Sequence, residues 1–92
     1  MSAEVTDWNE IGENLFARWG ASAYPMMDKE QVGKLLNISI GLGCIFNKDT
    51  KAERNWMRTP HAAFRGGSTP LTQLLAGNLD EVLEQVNKER NL

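Results

Sequence analysis

A chain of 92 residues fits one small domain and leaves no room for a second. With 41% hydrophobic and 24% charged residues it is too apolar for wholesale disorder. A net charge of −2 provides no overall basic footprint for nucleic acid or an anionic membrane.

The charge is unevenly spread. Residues 1–46 and 78–92 are net acidic, while 47–77 are net basic, carrying Lys48, Lys51, Arg54, Arg58 and Arg65. A basic middle between acidic flanks either marks a contact surface or pairs with those flanks inside one fold; the second is the plainer reading. One cysteine, Cys44, excludes an intramolecular disulfide and suits a reducing cytosol. It sits in the apolar run Gly43-Cys44-Ile45-Phe46, where core packing is expected. Met1-Ser2-Ala3-Glu4 lacks the basic and apolar regions of a signal peptide, and no apolar stretch approaches membrane-spanning length. The expected location is the cytoplasm.

Apolar spacing is helical throughout, and no segment alternates in the manner of a strand. The first helix is expected from Asp7, with Glu10 completing a capping box. Its apolar stripe is Trp8, Ile11, Leu15, Phe16 and Trp19, and it stops at Gly20. Residues 21–27 read as a loop. Asp28 and Gln31 repeat the capping signature and open a longer helix ending near Phe46. This helix is apolar on nearly every side, through Leu35, Leu36, Ile38, Ile40, Leu42, Ile45 and Phe46. It is therefore expected to be buried, centrally or across a dimer interface. Gly33, Gly41 and Gly43 weaken it by roughly 1 kcal/mol each relative to alanine, which predicts close approach of a neighbouring element.

A third helix is expected over about 49–57, and Pro60 ends helical structure there. Residues 58–68 read as a compact loop containing Phe64 and Gly66-Gly67. Thr69 caps a short helix with Pro70 at its first position and Gly77 at its end. Asn78 is expected to cap the last helix, whose buried face is Leu79, Val82, Leu83 and Val86. The fold class is all-α: a compact bundle of about five helices on one core, 1–46 holding the N-terminal helices and 47–92 the motif-bearing region.

Catalysis finds little support. His61 is the sole histidine, and with Cys44 it is too little for a metal site. Ser68 follows two glycines without the strand–turn–helix setting of a nucleophile elbow. No catalytic, cofactor or metal residues are assigned. A DNA-binding reading competes over residues 28–46, with Asn37-Ile38 as the turn of a helix-turn-helix. Its recognition helix would present Ile40, Gly41, Leu42, Gly43 and Cys44, none of which reads bases or contacts phosphates. A continuous core helix is the preferred reading, and nucleic acid is not an expected partner. Lys51, Arg54 and Arg58 share one face of the third helix by their spacing. A solvated face is the plain reading; the functional one is a docking site for an acidic partner, which arginine's fork suits.

From Phe46 onward the order of residues carries a resemblance. Phe46-Asn47-Lys48-Asp49 is followed by Ala52 and Trp56, then Thr59-Pro60-His61, Phe64 and Gly67. Thr69-Pro70-Leu71, Leu74-Leu75, Gly77 and Val82 complete the run. This run is similar to the toxin-binding domain of Xre/MbcA/ParS-type antitoxins, and Phe16-Ala17-Arg18-Trp19-Gly20 looks like an upstream family segment. His61 stands where the family usually has asparagine. Only residues 21–27 separate Trp19-Gly20 from the buried helix, where full-length members carry a helix-turn-helix. Direct DNA binding is thereby placed in doubt. The resemblance implies a bacterial, non-enzymatic protein that dimerises and neutralises a partner toxin. That toxin is typically a RES-domain enzyme degrading nicotinamide adenine dinucleotide. The resemblance places the contact in 51–67 and the last helix, so the expected partner-binding residues are Lys51, Arg54, Arg58, His61, Phe64 and Arg65. An orphan oligomerisation module is the remaining alternative.

Overall fold

The computed structural model describes residues 7–90. The N-terminal stretch read above for a leader lies outside them. The helices are α1 (Trp8–Arg18), α2 (Lys29–Ile45), α3 (Thr50–Met57), α4 (Pro70–Leu75) and α5 (Leu79–Glu89), with a short 3-10 turn at Arg65–Gly67. The all-α expectation and the five helices hold among the described residues, to within a residue or two at their ends.

Local chemistry explains most of the boundaries. At α2 the reciprocal capping box forms: Gln31 N donates to Asp28 Oδ1 at 2.9 Å, and Asp28 N donates to Gln31 Oε1 at 3.1 Å. At α1 only half of it forms, with Glu10 N on Asp7 Oδ1 at 3.1 Å. Asp49 caps α3 by accepting from Lys51 N and Ala52 N. α1 ends in a Schellman arrangement, Ala21 N reaching Phe16 O and Gly20 N reaching Ala17 O, both at 3.0 Å. That geometry needs a left-handed residue, and Gly20 supplies it at φ +87°. Asn47 and Lys48, both at positive φ, turn the chain sharply from α2 into α3.

The expected cap at α5 is corrected. The Asn78 side chain makes no capping bond; its amide donates instead to Gln73 Oε1 at 2.7 Å. Gln73 is buried at 9% exposure, and its own amide donates to Ser68 Oγ, so this side chain ties together both ends of α4. Satisfying a buried amide outweighs capping an exposed helix end.

One apolar core serves all five helices. Leu15, Phe16 and Trp19 of the α1 segment meet Val32, Leu35, Ile38 and Leu42 of α2, with Met57, Leu74, Val82 and Val86 from the later helices. Phe16 lies edge-on to Trp19 and stacks on Tyr24, ring centroids 6.0 Å apart in each pair. α2 is the central element, packing most extensively on α5 and next on α1. It runs unbroken through Asn37-Ile38, so the helix-turn-helix reading lacks its turn.

Two further expectations about α2 are corrected. It is not buried all round, because Ile40 is 60% exposed and Cys44 is exposed as well. The other helices leave one side of it open, and Cys44 is exposed there. Of its glycines, only Gly41 is needed for close packing. A β-carbon there would run into Val86 Cγ1 and stand 3.1 Å from Arg90 Cδ, whereas Gly33 has nothing within 4 Å and Gly43 only Lys48 Cγ at 3.9 Å. Alanine at these two sites should therefore have opposite effects. Gly33→Ala gains helix propensity alone and should stabilise by about 0.5–1 kcal/mol. Gly41→Ala gains the same but must displace the stiff, buried Val86, for a net loss of about 1–2 kcal/mol. Urea midpoints of the two variants test this; a stabilised Gly41→Ala would mean the α2–α5 contact is loose.

Candidate functional site

α3 is short and carries different chemistry on different sides. Trp56 and Met57 point into the core at 7% and 0% exposure. Lys51, Arg54 and Arg58 are all exposed and, with Asn55, line one shallow depression. The structure thus brings together the three cations that spacing placed on one face.

Beneath them lies the end of α1. A β-carbon built on Gly20 would stand 2.9 Å from Arg54 Nε and 3.1 Å from Arg58 Nη1. The two guanidinium groups cross bare backbone at a helix C-terminus, where partial negative charge favours them. Among the described residues none of the three cations has a carboxylate within ion-pair distance. The ion pairs formed there are Lys34 with Asp80 at 2.9 Å and Lys88 with Glu84 at 3.6 Å. The basic face is not used up by the acidic flanks of the same chain.

The loop after α3 is built inward. The Trp56 indole N–H donates to both oxygens of Glu89, at 3.2 and 3.1 Å, joining α3 to α5. The His61 ring lies 4.9 Å from Trp56 and 5.9 Å from Phe64, edge-on to the latter. His61 N donates to Ser68 O, Phe64 N to His61 O and Gly67 N to Phe64 O, so the loop closes on its own backbone. Phe64 is only 4% exposed, and its ring packs edge-on to His61 within the loop. His61 is half-buried, with Nε2 enclosed and unpartnered. Arg65 is exposed on the 3-10 turn but does not line the depression on α3.

Residues 43–91 match the family described as the antitoxin Xre/MbcA/ParS C-terminal toxin-binding domain. The chain belongs to that family. The matched stretch covers more than half the sequence and contains α3, the Pro60 loop, α4 and α5. No curated protein and no solved structure gives a significant match. Membership in a toxin-binding antitoxin family implies a toxin as the partner. No helix among the described residues of this antitoxin domain is long and apolar enough to cross a membrane, and no group of His, Cys, Asp or Glu there is placed to hold a metal.

Two acidic residues of the antitoxin domain escaped the reading of the sequence. Glu89, as the acceptor for Trp56, has no local signal because its partner is 33 positions away. Glu53 is buried at 4% exposure, and its Oε1 meets no hydrogen-bond donor among the described residues. Its signal was present: it precedes Trp56 by three positions and Met57 by four, and so shares their inward face.

Burial pushes the Glu53 carboxyl above the ordinary range; the Arg18 guanidinium pulls it back, and the Asp49 carboxylate adds to the rise. The folded chain therefore holds this proton more tightly than the unfolded one. The stability this gives is present at low pH and is lost as pH rises through the ordinary and then the raised value. Glu53→Gln should accordingly melt at a higher temperature than wild type at pH 7, and the gap should narrow as pH falls through the carboxylate range. A variant less stable than wild type at pH 7 would show that Glu53 has a partner in solution.

Proposed function

We propose that this chain is a non-enzymatic antitoxin that neutralises its toxin by seating the α3 face, Lys51, Arg54 and Arg58, on an acidic surface of that protein. Arg65 extends this cationic surface at the neighbouring turn. His61 and Phe64 act indirectly, holding the loop in register beside Trp56. The observation carrying this reading is the coincidence of three exposed cations, unpaired among the described residues, with the segment that matches a toxin-binding domain. Charge complementarity of this kind governs association rate and choice of partner more than raw affinity.

The further details follow from the family resemblance. The toxin is of the RES type, degrading nicotinamide adenine dinucleotide, and the antitoxin covers its cleft in the cytoplasm. Residues 1–92 act as one unit, paired as a homodimer.

Co-expression with the protein encoded by the adjacent gene, followed by affinity capture and light scattering, tests the proposal. The expected result is a stable complex heavier than one copy of each chain, in which the toxin no longer consumes nicotinamide adenine dinucleotide. Recovery of this chain alone, with the neighbour left behind and fully active, would overturn it.

A further inference from the structure

Next to the basic face lies a second concavity, a groove of about 520 Å³ that shares no lining residue with the first. Arg18 of α1, Ser39, Ile40, Gly43 and Cys44 of α2, Lys48 of the turn, and Thr50 and Glu53 at the α3 end line it. Two features distinguish it from an ordinary surface hollow. Its α2 wall carries Ile40 at 60% exposure, so apolar surface is left uncovered. Its α3 wall holds Glu53, more than nine-tenths buried, whose Oε1 meets no donor among the described residues.

A carboxylate stripped of water and left without a donor is unfavourable until a cation or a hydrogen-bond donor completes it. Among the described residues the chain's own cations act on Glu53 only from a distance. Arg18 directs its Nη1 to Ser39 Oγ at 3.4 Å, and neither Arg18 nor Lys48 makes an ion pair with Glu53. Arg18 and Lys48 also line the groove, so an incoming positive charge is held there only where it contacts the Glu53 carboxylate directly.

We propose that this groove receives an arginine side chain of a protein partner, its guanidinium completing Glu53 and its methylene stem lying along Ile40, Gly43 and Cys44. Arginine fits both walls. Its guanidinium is weakly hydrated and planar, suited to a carboxylate already out of water. Its aliphatic stem covers apolar surface while the charge is directed to the polar end. Arginine binding in the groove stands apart from toxin capture by the basic face, because the two sites share no lining residue and the test uses this chain alone.

The probe is N-acetyl-arginine methylamide, with the neutral N-acetyl-citrulline methylamide as its isosteric control, titrated into the 92-residue chain and followed by NMR. The arginine form is expected to shift the signals of Ile40, Gly43 and Cys44 saturably and to lower the titration midpoint of Glu53. The citrulline form should bind at least about tenfold more weakly. Glu53→Gln should erase that preference while leaving the helical circular dichroism unchanged. Equal binding of both probes, or a preference that survives Glu53→Gln, would overturn the proposal in favour of an apolar hollow. Silence toward arginine, together with a Glu53 midpoint that rises in Arg18→Gln, would assign the carboxylate to Arg18 and overturn it as well.

Discussion

Reversing Arg54 and Arg58 together to glutamate is expected to abolish capture of the toxin while the chain remains folded. Both guanidinium groups are exposed and lack an ion pair among the described residues, so little stability rests on them. The substitution changes the face by four charges, and like charge set against an acidic partner costs several kcal/mol. The loss of affinity should therefore exceed about a hundredfold. One complication comes from below. Glutamates over the end of α1 would meet the negative end of that helix, at a cost of about 0.3–1 kcal/mol each. The neutral pair Arg54→Gln with Arg58→Gln separates the two effects: it spares the helix end and should still weaken capture strongly. Circular dichroism and urea melts report the fold, and a pull-down reports binding. Capture that survives the double reversal in a folded chain would move the contact off this face.

Trp56→Ala should act on the fold itself. The ring is 7% exposed, packs against His61 and donates its N–H to Glu89. Truncating a buried tryptophan costs about 3–5 kcal/mol, a large share of the about 5–15 kcal/mol that holds a domain together. For a chain of this size that lowers the melting temperature by well over about 10 °C. Trp56→Phe keeps much of the packing and removes the hydrogen bond to an exposed carboxylate, for about 1–2 kcal/mol. Urea unfolding of the two variants distinguishes these contributions. A Trp56→Ala chain within about 1 kcal/mol of wild type would show that the Pro60 loop is not anchored through this ring.

The helices were legible in the sequence because their signals are local. Asp28 with Gln31, Asp49, Gly20, and Thr69 with Pro70 each act within one turn of the boundary they set, and all were readable at four residues' range. The cationic face was legible for the same reason, since Lys51, Arg54 and Arg58 share one short helix. What escaped depends on partners distant in sequence. Cys44 and Ile40 belong to an apolar run, and only the arrangement of the other helices decides which side of that run stays open. Asn78 has the chemistry of a cap but was recruited by Gln73, a buried amide that periodicity cannot mark as needy. Phe64 could be expected to anchor the Pro60 loop from its size alone, and the loop's own hydrogen bonds fold it inward. Glu53 was overlooked because α3 is mostly polar, and a carboxylate on its inward side draws notice only once Trp56 and Met57 are known to face the core.

The packing of α2 against α5 has a consequence for how such a module can be moved between proteins. The family match begins at residue 43, almost at the end of α2, whereas α5 packs chiefly on α2, whose Gly41 meets Val86 before that point. The segment that is recognisable by ancestry and the segment that can stand alone are therefore different lengths. A graft cut at the recognisable boundary would carry the basic face and leave behind the floor on which its last helix lies. The N-terminal helices contribute none of its cations, yet they complete the core on which the rest of the module packs.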